Sequence, residues 1–245
     1  MKKVLFQSLL IISIPLNIIA QSKHFAGVYP FIEHTGKITK KFQYIFSANA
    51  NYLLININKP DIKKDALFLK LYSEIGLIFN LNSHFSLTGS YAYERVNVLL
   101  PNYTNENRFY LQSTYKHSLK SVSLKYRLRF ENRFVHNHIT NKTPYTNRLR
   151  AQVGMSVPFS RNNNKYYFTG YEEAFFNTYK NASSVYSENK FYTAIGLKLN
   201  STNKIEAGGL YQTVKTSKTD WFNQYYLTIS WISQLDFTKN SKTKK

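Results

Sequence analysis

Five arginines recur at every second or every fourth position on two neighbouring segments: Arg127, Arg129 and Arg133 in "YRLRFENRF", and Arg148 and Arg150 in "NRLRAQV". In an extended chain, residues two apart share a face. Each segment therefore presents a basic face, and two successive strands would turn those faces toward each other. A ring of guanidinium groups of this kind selects anions. Glu94, Glu131 and Glu206 fall on the same faces as the basic residues, with Glu74 beside them. Glu172 and Glu173 are adjacent, so only one of them can point the same way. Paired with the arginines, these carboxylates would instead form a structural polar core. The sequence leaves both readings open. The excess of 33 basic over 13 acidic residues leans toward the constriction, because fully paired ions would be nearer balance.

Other chemistry is sparse. His24, His34, His84, His117, His136 and His138 are scattered, and His136 and His138 flank Asn137 without an evident third metal ligand. No G-x-S-x-G, H-E-x-x-H or phosphate-binding loop occurs. No catalytic residue, metal site or cofactor is assigned. The remaining route to an enzyme is a site of Ser, His and Asn at a barrel rim, acting on lipid or peptide.

The elements that must position these residues are strands. Val122, Leu124, Tyr126, Leu128, Phe130 and Phe134 make one apolar face. Ser121, Ser123, Lys125, Arg127, Arg129, Glu131 and Arg133 make the polar one. The same period of two runs through 67–79, 85–93, 109–115, 149–157, 191–199, 205–211 and 225–231, and less cleanly through 40–54 and 165–177. Short polar connections (Asn80–His84, Ser118–Ser121, Ser160–Asn164, Asn200–Asn203) alternate with longer ones (Asn56–Asp65, Asn97–Asn107, His136–Tyr145, Tyr179–Glu188, Val214–Trp221). Short turns on one side and long loops on the other are the pattern of an outer-membrane barrel, with lipid outside and a polar lumen. The expected fold is all-β: a single antiparallel transmembrane barrel over 40–237. Ten strands are counted, with twelve as the alternative, and an even count puts both chain ends on the periplasmic side. Residues 21–39, with the turn-like His34-Thr35-Gly36-Lys37, are expected to be a periplasmic or inward-folded piece. Residues 238–245 form a basic tail.

Lys2 and Lys3, an apolar stretch from Val4 to Ile19 and Ala20 give a signal-peptide pattern over 1–20. The chain has no cysteine, which excludes a disulfide scaffold and a lipid-anchored lipoprotein. The net charge of +20 is dispersed along strands rather than blocked, so nucleic acid is not the expected partner. The expected partners are outer-membrane lipid, the barrel-assembly machinery and small anions. The 20 Tyr and 18 Phe suit the two lipid–water interfaces.

The order of several segments resembles a bacterial family known only as domain of unknown function 2490. "NRLRAQVGMSVPF" (147–159), "YYFTGYEEAFFN" (166–177), "YSENKFYTAIGLKLN" (186–200) and "KIEAGGLYQ" (204–212) follow one another as in that family, with "YRLRFENRF" (126–134) ahead of them. The resemblance implies an outer-membrane barrel and no established activity. Such barrels end on an aromatic residue. Phe237 would fill that place, with eight residues following it.

Overall fold

Residues that alternate in polarity along the chain alternate across a barrel wall. The computed structural model describes residues 22–58, 67–160, 164–180, 182, 184–217 and 219–238. Within them run eleven strands: β1 (Ser22–Lys37), β2 (Phe42–Asn56), β3 (Leu67–Asn80), β4 (Phe85–Val96), β5 (Thr104–Leu119), β6 (Val122–Asn137), β7 (Tyr145–Pro158), β8 (Tyr166–Asn177), β9 (Tyr186–Lys198), β10 (Asn203–Lys215) and β11 (Trp221–Asp236). Each pairs with its chain neighbours, and β1 closes the barrel against β11. The segments 1–20 and 239–245, read as the leader and most of the basic tail, lie outside the described residues.

Three expectations are corrected. The strand count is eleven, not ten, and the segment 21–39 is no inward-folded piece, because its residues from Ser22 to Lys37 form β1 in the wall. Its "HTGK" is part of that strand, and the chain turns after it, where Ile38 N–H donates to the Phe42 carbonyl. An up-and-down meander with an odd number of strands closes only through one parallel pair. β1 and β11 are that pair, from Ser22 against Trp221 to Lys37 against Asp236. β1 therefore starts at the long-loop end and β11 finishes at the short-turn end. The two strand ends lie at opposite mouths, not on one side.

The seam itself runs without a register shift, and the irregularity lies on the other side of β1. The β1–β2 ladder shifts register between Ala26 and Gly27 and skips Tyr29 and Pro30, as a residue without an N–H requires. Gly27 is there because a Cβ would lie 1.9 Å from the Tyr52 carbonyl oxygen. The tightest connection, Lys120–Ser121, takes Lys120 into the left-handed region at φ 56°.

The outer surface is apolar around the middle, where Leu111 is 73% and Leu227 74% exposed. Aromatic pairs collar it at both ends. Tyr52–Phe68, Tyr91–Phe109, Phe134–Tyr145 and Tyr211–Tyr225 lie toward the long loops. Phe42–Phe79, Tyr44–Phe237 and Tyr115–Tyr126 lie toward the short turns.

Candidate functional site

The lumen is crossed at mid-height by an ion-paired layer. The β6 alternation turns Arg127, Arg129, Glu131 and Arg133 inward, and the register sets Glu131 opposite Arg148 and Arg129 opposite Arg150. β5 adds Glu106 and Arg108 from the other side.

Glu131 is the hub, with 0% of its surface exposed. It accepts from Arg148 Nε at 2.7 Å and from Arg150 Nη1 at 2.8 Å. Arg108 and Arg129 stand at 3.5 and 3.9 Å. Glu173 accepts from Arg150 through Nε at 2.8 Å and Nη2 at 2.9 Å, and from Arg127 Nη2 at 2.7 Å. Glu106 takes a two-pronged contact from Arg133, 2.7 Å on each oxygen, and a 2.7 Å bond from Arg108 Nε. Glu74 is held by the hydroxyls of Tyr72 and Tyr110, with Arg129 at 3.6 Å. The planar guanidinium groups also stack. Arg129 lies 3.8 Å from the centre of the Tyr110 ring, and Arg148 and Arg150 lie 4.9 and 4.4 Å from Phe175. Like charges such as Arg129 and Arg150 sit opposite each other only because carboxylates interleave with them.

The five arginines singled out in the sequence are thus brought together, and each meets at least one carboxylate, several of which are shared. Of the three carboxylates, Glu131 is central. Glu94 lies at the edge, 3.3 Å from Lys70 and 3.6 Å from Arg108. Glu206 stands apart from the cluster, accepting from Tyr167 at 2.8 Å and Tyr192 at 2.9 Å, with Lys204 at 3.5 Å. Sequence reasoning missed Glu106 and Glu188 by assigning both to loops. Glu188, on β9, meets Arg148 at 3.5 Å and Gln212 at 2.7 Å. The signal for both was available: each continues the inward parity of its strand by one more step.

The histidines stay dispersed, and no group of three metal-capable side chains occurs among the described residues. His136 bonds Thr143, and His138 stacks on Tyr103. At the seam, His34 joins two hydroxyls: Nδ1 meets Ser233 Oγ, and Nε2 meets the Tyr44 hydroxyl at 2.6 Å.

Fold and site together define a closed eleven-stranded β-barrel whose lumen is filled at the waist by paired arginines and glutamates. The chain belongs to the family described as "Protein of unknown function (DUF2490)", whose model matches residues 26–223. Nothing among the curated proteins matches. Among solved structures, an anion-selective porin from Comamonas acidovorans is similar at 12% identity and a TM-score of 0.33, over 78% of this chain and 55% of that one. The chain thus spans about half the length of that porin, and so slight a likeness carries no argument about function.

Proposed function

We propose that this chain is an outer-membrane barrel, closed at its waist by its own side chains, that works as a structural or surface-interaction protein rather than as an open anion pore. The closure rests on one observation: Glu131, in the middle of the lumen, has no exposed surface and sits among four guanidinium groups. An anion entering there would meet arginines already committed to carboxylates. The membrane reading rests on the outer surface. Its apolar belt between two aromatic collars suits a bilayer and its interfaces. The strands run 12 to 16 residues, more than the roughly 9–11 a tilted spanning strand needs. The connections after β2, β4, β6, β8 and β10, which are longer as a set than those at the other end, leave the wall at one mouth, which is where a surface partner would bind. Lipid at the belt and the barrel-assembly machinery are the partners this reading requires. Cell fractionation with heat modifiability tests it: recovery in the outer membrane with a boiling-dependent gel shift is expected, and recovery in the soluble periplasm with no shift would overturn it.

The second reading, an enzyme at the barrel rim acting on lipid, is favoured by the His34–Ser233–Tyr44 contact alone. It has the nucleophile, base and orienting group of a hydrolase, whereas oxyanion donors are the part still to be supplied. A fluorophosphonate probe decides it. Labelling lost in S233A and H34F supports the enzyme, and absence of labelling at Ser233 removes it.

A further inference from the structure

The charge that the waist does not neutralise is concentrated one step toward the short-turn mouth. Lys125 faces the lumen from β6. Its cross-strand neighbours are Lys116 on β5 and Gly154 on β7, and its same-face neighbours along the strand are Ser123 and Arg127. One of the four repels it by position, one has no side chain, one is neutral and one is another cation. Among the described residues, neither Lys125 nor Lys116 forms an ion pair. Glu33 acts on Lys125 from β1 across the lumen without joining it. Arg127 gives Nη2 to Glu173 at 2.7 Å, but its Nε is buried with no acceptor. Like charges facing each other across a ladder destabilise a sheet, and an unmet buried donor adds to that cost.

We infer that Lys116, Lys125 and Arg127 form a binding site for a phosphate-type oxyanion at the floor of a blind cup opening to the short-turn mouth. An oxyanion placed between the two lysines relieves their repulsion and supplies acceptors that the neighbouring strands withhold. Charge-assisted bonds of this kind are the strong ones. On the β7 side Gly154 brings no side chain to compete for the two lysines, its own Cβ position being taken by Tyr171 at 3.2 Å. This inference rests on the closed waist, which makes the region a cup rather than a stretch of channel.

The experiment uses the whole barrel refolded in a phosphate-free neutral detergent. Its unfolding midpoint is followed by heat modifiability as inorganic phosphate is added, against sodium chloride at equal ionic strength. A parallel arm uses glycerol 3-phosphate, which separates free phosphate from a phosphomonoester as the source. Phosphorus NMR of the added anion reads binding without any variant. A saturable rise in the midpoint with phosphate, absent with chloride, is expected. K125Q should raise the starting midpoint and abolish the phosphate increment. K116Q should weaken binding about tenfold, as loss of one charge-assisted contact implies, and K142Q in a long loop should change nothing. Equal effects of phosphate and chloride on the wild type, or an increment retained in both K125Q and K116Q, would overturn the site. Bilayer conductance is read separately: a silent barrel that ignores phosphate refutes the cup site alone, whereas a conducting barrel refutes the closed waist.

Discussion

Glu131 and Arg148 face each other across the β6–β7 ladder, carboxylate Oε2 to guanidinium Nε at 2.7 Å, at a point where Glu131 has no exposed surface. A carboxylate so placed is held by its partners and in turn keeps them from being stranded charges. An intact buried network adds little net stability over an apolar one, but removing one member leaves uncompensated charge.

E131Q should therefore be among the most damaging isosteric changes in the barrel. It is expected to cost about 3–5 kcal/mol, the usual penalty for breaking a buried pair. The urea midpoint of the refolded barrel measures it. E206Q should cost clearly less, because the amide oxygen keeps one of the two tyrosine bonds, the amide N–H can donate to the other hydroxyl, and its cation, Lys204, is partly exposed.

Leu227 points outward at the middle of the belt, whereas Tyr145 begins β7 at the long-loop rim. In a bilayer L227R should cost about 2–4 kcal/mol and Y145R only about 0–1 kcal/mol, following the depth dependence for arginine on a lipid-facing wall. Folding titrations into lipid vesicles give both values. Equal, small costs would mean that the belt does not face hydrocarbon.

The parallel seam makes a topological prediction. With the long loops outside the cell, an epitope placed just before Ser22 should be reached by antibody on intact cells, and one fused after Phe237 should be reached only after permeabilisation. Labelling of both from one side would contradict the β1–β11 pairing.

Gly27 passes beneath the Tyr52 carbonyl with no room for a side chain. G27V should prevent β1 from docking on β2 and abolish the heat-modifiable form, while I32V on the exposed face of the same strand should leave it intact.

Much of this barrel is legible in the sequence, and the failures have physical causes. β6 and β7 stand out because nearly every outward residue is apolar and the inward ones are polar, so alternation alone groups the five arginines. β2 is faint because the apolar Ile45 and Leu53 share the inward face with Ser47, Asn49 and Asn51, and a bulge near Tyr52 breaks the period. β1 is missed because Phe25–Ile32 is apolar on both faces, and because the even strand count expected of an outer-membrane barrel argues against an eleventh strand, which the closed sheet nonetheless contains. The pairing of the charges is hidden because it depends on register. Period alone says that Glu131 points inward, but only the β6–β7 and β5–β6 alignments put four arginines around it. The family resemblance, carried by the order of segments after residue 120, holds over residues 26–223.

Single-molecule conductance in a planar bilayer tests the central claim most directly. The refolded barrel, shown to be closed by heat modifiability, should insert without a steady current at low voltage, because the Glu131 layer seals its waist. A stable, anion-selective conductance from the wild-type chain would contradict the closed lumen and restore the arginines to the role of a selectivity ring.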